Sequence, residues 1–249
     1  MKWNPLVAGA ALVLSTFAAH AQDALKIAVI APFSGPFADY GRQIESGMRA
    51  WLQQHGDVIA GRKIVLISKD TTGPAPEVAK RLAQEAVVRD KVDFLAGFGL
   101  TPEALAVAPV ATQAKKPMIV MNAASSIVTA KSPYIARVSM TLPQVSAPMG
   151  TWAAKNGIRR VFTLVADYAP GHDSEAAFKT TFTAGGGQVI EAVRTPLKNP
   201  EFSPFVQRIK DAKPDAVFVF LPAGEQGIAF MKSFQERGLA KEIGRASCR

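Results

Sequence analysis

The sequence predicts an α/β protein of two units, each a parallel sheet covered by helices on both faces. Three observations lead there. Apolar runs of strand length alternate with segments whose apolar residues recur at helical spacing. Loops rich in Pro, Gly, Ser and Thr follow several of those runs. The rhythm pauses and restarts between Ser139 and Gln144, which divides the chain into units at 22–140 and 141–242. The join, Thr141-Leu142-Pro143, lacks the Gly/Ser content of a flexible linker and reads as a crossover.

In order, Leu25 to Ala31 (LKIAVIA) is a strand apolar enough to be buried on both faces. Pro32 to Gly41 is a Pro- and Gly-rich loop, and Ile44, Met48, Trp51, Leu52 and His55 then mark a helix. Lys63 to Ser68 is a strand, and Val78, Leu82, Ala86 and Val87 lie on a helix. Val92 to Ala96, a helix from Pro102 to Gln113, and a strand from Pro117 to Met121 complete the first unit. In the second, a helix over Val145 to Ala154 precedes a strand at Arg160 to Ala166. A helix at Ser174 to Ala184, stopped by Gly185-Gly186-Gly187, leads to a strand at Gln188 to Ala192. Phe205, Val206 and Ile209 face inward before the apolar strand Ala216 to Phe220. A last helix carries Ile228, Met231 and Phe234 and stops at Gly238.

Both ends read as extraneous to the fold. Lys2, the apolar stretch Leu6 to Ala19 and Ala19-His20-Ala21 have the layout of a secretory signal peptide, 1–21, cleaved after Ala21. The apolar run is short for a membrane span, so a periplasmic location is expected. The tail 243–249, IGRASCR, coincides with one reading frame of a sequencing adapter. It is expected to be foreign, with the natural sequence interrupted near Glu242. It holds Cys248, the single cysteine, so neither a disulfide nor a thiolate metal cluster is expected.

Composition narrows the function. The formal charge is +9, but Lys and Arg are scattered singly or in pairs such as Lys115-Lys116 and Arg159-Arg160. That argues for a solvated basic surface and against nucleic acid, which needs a patch or a run. An enzyme is disfavoured: there is no G-x-S-x-G elbow and no P-loop, and Gly97-Phe98-Gly99 lacks the third glycine of a dinucleotide fingerprint. His20 leaves with the leader, His55 ends a helix, and His172 beside Asp173 has too few partners for a metal or a triad. Asp70 and Glu77 read as a strand-end residue and an early-helix acid. No cofactor and no metal are expected.

A ligand site is expected at the carboxyl ends of the strands. Phe33 and Tyr40, in the loop after the first strand, can form an aromatic wall. Leu100-Thr101-Pro102 follows the third strand, with Thr101 as a helix N-cap and Pro102 at the first helical position. Asn122-Ala123-Ala124-Ser125-Ser126 follows the fourth, with Ser125 repeating the arrangement. Such helix starts suit a carboxylate. Taken alone, each hydroxyl reads first as a cap of its own helix; two of them at one sheet edge favour a ligand. In the second unit, the loops holding Tyr168 and Pro170 and holding Leu221 and Ala223 can close from the opposite side.

The segments GPFADYGRQIESG, GFGLTPEALAVAPVA, PMIVMNAASSIVT, VADYAPG and EFSPFVQRIKDAKPDAVFV occur in that order. As an ordered set they resemble the periplasmic leucine/isoleucine/valine-binding family, the type I solute-binding proteins of ABC importers, from about Leu25 to Gly238. The resemblance implies the type I periplasmic-binding-protein fold: two Rossmann-like lobes joined by hinge crossovers, closing on a ligand delivered to a membrane ABC permease. It implies that Leu100-Thr101 and Ala123 to Ser125 hold the ligand carboxylate, that Tyr40 lines the pocket, and that Asp167 to Gly171 reaches across. Two positions depart from the family pattern: Leu100-Thr101 stands where Ser is usual, and Pro170 replaces a Tyr. The family's ammonium-pairing acid is expected beyond the last residue. The expected ligand is a small carboxylate, either a branched-chain amino acid or an aromatic or aliphatic acid, bound by a monomer. The alternative use of the fold is as the ligand-sensing extracellular domain of a receptor.

Overall fold

A computed structural model describes residues 23–243. The signal-peptide reading, Cys248 and all of the proposed foreign tail except Ile243 lie outside the described residues.

The first apolar run forms β1 (Leu25–Ala31), and a single 3₁₀ turn, Gly35–Phe37, leads into α1 (Ala38–His55). α1 starts earlier than expected, so Tyr40 sits in its first turn and not in a loop. β2 (Val58–Ile59) and β3 (Arg62–Asp70) form a small antiparallel hairpin that the sequence pattern did not reveal. Its two-residue turn has φ of 51° at Ala60 and 78° at Gly61, the left-handed pair that suits hairpin twist. α2 (Pro76–Val88), β4 (Phe94–Gly97), α3 (Thr101–Ala114) and β5 (Met118–Val120) follow. β6 (Ile135–Arg137), also unanticipated, closes the sheet's edge after a 3₁₀ segment, Ser126–Lys131.

The second unit opens with α4 (Leu142–Lys155), whose start is fixed by the Thr141 N–H donating to Gln144 Oε1 at 2.7 Å. β7 (Arg160–Ala166), α5 (Ala169–Ala184), β8 (Gln188–Thr195), α6 (Ser203–Ala212), β9 (Ala216–Phe220), α7 (Glu225–Glu236) and α8 (Leu239–Glu242) complete it. α5 also begins early, placing Pro170, His172 and Asp173 in its first turns and not in a loop.

The first sheet has the order β2-β3-β1-β4-β5-β6 and the second β8-β7-β9; every pairing except β2 with β3 is parallel. The chain order reverses at β1, between β3 and β4, the kind of switch point where a crevice opens at the carboxyl edge. Register aligns that edge: Ile30 pairs with Gly97, and Gly97 with Val120. In the second sheet Val165 pairs with Phe220 and Ala166 with Thr195. The two carboxyl edges face one another.

Each sheet carries its own core. Ile30, Leu95, Phe98, Val107 and Met118 are fully buried in the first. Phe162, Leu164 and Ile209 fill one face of the second sheet, and Val161, Phe178, Phe182 and Phe218 the other. Phe178 and Phe218 stack with centroids 4.2 Å apart. Burying such side chains is worth about 2–3 kcal/mol apiece. Ile243 joins the second core and its N–H donates to Leu239 O at 3.0 Å.

Candidate ligand site between the two sheets

A cavity of about 310 Å³ lies between the carboxyl edges, within the range of small-molecule sites. The first unit contributes Tyr40 from α1, Leu100 and Thr101 from the start of α3, and Asn122, Ala123 and Ala124 from the turn after β5. The second contributes Tyr168 and Pro170 from the start of α5, and Leu221 and Ala223 from the loop after β9. These are ten of the residues expected to form the site.

Two of the expected residues lie outside the cavity lining. Phe33 does not line the cavity. Its N–H donates to Asp70 Oδ1 at 2.8 Å, and its ring covers Gly41, where a Cβ would come within 2.7 Å of it. Burial acts to raise the Asp70 carboxyl, but donors on Ser34, Phe33 and Thr72 prevail and hold it below its ordinary value. The loop is thus tied to its own unit. Ser125 is the second of them. Its hydroxyl donates to Asp173 Oδ2 at 2.8 Å, so it is engaged across the cleft and not in the cavity.

The capping assignment also changes. Leu100, with extended backbone (φ −123°, ψ 142°), is the N-cap of α3, and Thr101 is its first helical residue with Pro102 next. The reason lies in tertiary contacts: Thr101 is buried and its Oγ1 accepts the Ser125 N–H at 3.4 Å instead of capping its own helix. The N–H groups of that first turn have no carbonyl four residues earlier within the helix, so the α3 start still favours an anion.

Gly99, Met140, Leu142, Val145, Phe220 and Pro222 complete the lining and were missed. Phe220 is the last residue of an apolar strand, and Leu142 and Val145 lie in the first turn of a helix. Only the facing of the two sheets tells such residues from core.

Every residue of the lining is uncharged. The polar groups are few. The Ala223 N–H donates to Tyr40 Oη at 2.9 Å, joining the two units, and Asn122 Nδ2 donates to Gly99 O at 2.7 Å. Burial raises the Tyr40 phenol, opposed by the hydrogen bonds with Ala223 and Asn122. The Tyr168 phenol is raised further, by burial first and then by nearby Tyr40. Both therefore stay protonated at any physiological pH and remain able to donate. His172 pairs with Asp167 at 2.8 Å on the surface, outside the cavity.

Two Rossmann-like sheets meeting edge to edge over one uncharged cavity is an arrangement with known relatives. The profile of the periplasmic binding protein family matches residues 24–248. The chain belongs to that family. Leu/Ile/Val-binding protein homolog 6 of Brucella melitensis is 44% identical over 96% of this chain and 61% of its own length. A solute-binding protein of an ABC transporter from Rhodopseudomonas palustris BisB5, solved with 3,4-dihydroxybenzoic acid, is 56% identical with a TM-score of 0.86, covering 88% of this chain and 60% of that one. A second from R. palustris, with benzoate, is 30% identical with a TM-score of 0.82, covering 87% and 60%. The chain thus spans about three-fifths of these relatives. Family members of this kind are periplasmic, and among the described residues no helix is long and apolar enough to cross a membrane.

Proposed function

We propose that the protein is a periplasmic solute-binding protein that captures an aromatic carboxylate between its two lobes, 22–140 and 141–242, and passes it to an ABC permease. The observation that carries this is the uncharged, largely apolar lining of the cavity. A benzoate-type ligand has a ring that suits the walls formed by Leu100, Met140, Val145, Tyr168, Phe220 and Leu221. Its carboxylate suits the start of α3, where the Thr101 hydroxyl, already accepting from Ser125 N–H, keeps its own proton to donate. Ring hydroxyls suit Asn122 and the Tyr168 phenol. The aromatic acids held by two of the relatives agree with this reading.

Binding without catalysis, a monomeric state and cleavage after Ala21 belong to the same proposal; N-terminal sequencing of the exported protein should begin at Gln22. Relatives described as ABC-transporter proteins favour transport over the receptor alternative.

Calorimetric titration with 3,4-dihydroxybenzoate, 4-hydroxybenzoate, benzoate and leucine tests the reading. A hydroxylated benzoate should bind about 100-fold or more tightly than leucine, a gap of roughly 2.7 kcal/mol. Leucine binding as tightly as the aromatic acids would overturn it. In the same titration Thr101→Val should weaken aromatic-acid binding by ~1–3 kcal/mol, the value of a hydrogen bond to a charged group, in a protein that circular dichroism shows to be folded. Unchanged affinity would remove Thr101 from the site.

A further inference from the structure

Beside the cavity, one carboxylate joins the two units. Asp173, in the second turn of α5, receives three donors on a single oxygen, all from the turn after β5 in the other unit. Ser125 Oγ and Ser126 N each lie 2.8 Å from Asp173 Oδ2, and Ser126 Oγ lies 3.0 Å away. Behind the turn, Arg137 Nη2 donates to Ser125 O at 2.6 Å, while its Nε and Nη1 are buried without a hydrogen-bond partner. Burial lowers the Arg137 guanidinium, and the charge of Asp173 opposes that. An arginine held this way gains from a nearby anion, and Asp173 is that anion. Neither Asp173 nor Arg137 lines the cavity. The carboxylate therefore has a partner set only when the lobes are together, and its partners sit on the turn whose other residues, Asn122 to Ala124, form the cavity wall.

We propose that Asp173 is the latch of the closed state: a positioning residue that sets how long a ligand stays, without touching it. The idea rests on the two-lobe binding reading above. Charge-assisted hydrogen bonds made only in one state bias the equilibrium toward it. Breaking them favours opening, and opening sets release.

The test compares wild type, Asp173→Ala, Asp173→Asn, Ser126→Ala and the Asp173→Ala/Ser126→Ala pair. Stopped-flow fluorescence with 4-hydroxybenzoate gives the rates, and small-angle X-ray scattering of the ligand-free proteins gives their size. Asp173→Ala should release ligand about tenfold faster with little change in association, since mutations of one interface act mostly on the off-rate. Its ligand-free radius of gyration should exceed that of wild type. Asp173→Asn should be intermediate, and the double variant should be no worse than Asp173→Ala, because both changes remove one interaction. Circular dichroism confirms that each variant is folded. Wild-type release rate and radius in a folded Asp173→Ala, or additive effects in the double variant, would overturn the latch. If wild type binds no aromatic acid yet Asp173→Ala is larger, the ligand reading falls and the latch stands.

Discussion

Gly97→Val should destabilise the protein by about 3–5 kcal/mol, combining backbone strain with overpacking. Gly97 ends β4 with φ of 105°, a conformation that β-branched residues avoid. A Cβ there would lie 2.5 Å from Ile30 O and 3.0 Å from Ile30 N. Those atoms belong to the central strand, so nothing can yield cheaply. The next residue, Phe98, holds φ of 63° while fully buried, its N–H donating to Ile30 O at 2.7 Å and its carbonyl accepting from Ala123 N–H at 2.9 Å. Gly99 has the same tightness, since a Cβ there would sit 2.8 Å from the Cβ of Tyr40. The glycines thus let β4 leave the sheet under Tyr40 and carry Leu100 and Thr101 to the cavity. Such a loss rivals the whole stability of many domains. Urea unfolding followed by circular dichroism should show it, with low soluble yield; a variant within about 1 kcal/mol of wild type would refute the account.

Glu103→Gln should have the opposite sign at alkaline pH. Glu103 lies in the first turn of α3, fully buried. Its Oε1 accepts from Thr71 Oγ1, Leu100 N–H donates to the carboxyl group, and its Oε2 is buried without a hydrogen-bond partner. Burial pushes the carboxyl from 4.5 up to about 7; the Thr71 and Leu100 hydrogen bonds resist, and Asp70 adds a small push upward. The folded state then holds the proton more tightly than the unfolded chain. Stability from this group is therefore fully present below pH 4.5 and is lost as pH rises toward 7, after which the loss stays constant. The linkage amounts to about 3 kcal/mol. A glutamine keeps the shape and never ionises, so Glu103→Gln should match wild type near pH 4.5 and exceed it by ~3 kcal/mol at pH 8. Urea unfolding at both pH values checks this; parallel pH profiles would show that Glu103 does not hold its proton.

Much of the fold was legible because its signals are local. LKIAVIA, RVFTLVA and AVFVF are strands by composition alone, and burial on both faces leaves them no polar alternation to confuse the reading. Starts were less legible. The Pro- and Gly-rich stretch before α1 and the DYAPG stretch before α5 look like loops, yet Ala38 and Ala169 already begin helices. Proline is at home in a first turn, so its presence does not delay a helix. β6 was invisible because three residues on a sheet edge carry too little pattern.

For the site, the sequence alone determined which strand ends supply it, since ligands in parallel sheets sit at carboxyl edges and the loops there are readable in order. It thereby named Tyr40, Leu100, Thr101, Asn122, Tyr168 and Ala223 as neighbours. The tertiary structure decided which hydroxyls are free. Ser125 and Thr101 look alike in the sequence, but Asp173, 48 residues away, takes the Ser125 hydroxyl, while Thr101 stays in the cavity wall. It also decided that Phe33 turns onto Gly41 and that Met140, Leu142 and Phe220 form part of the cavity wall. The division has a physical reason: a strand or a glycine turn is set by its own few residues, whereas a hydrogen bond between lobes depends on where two remote backbones meet.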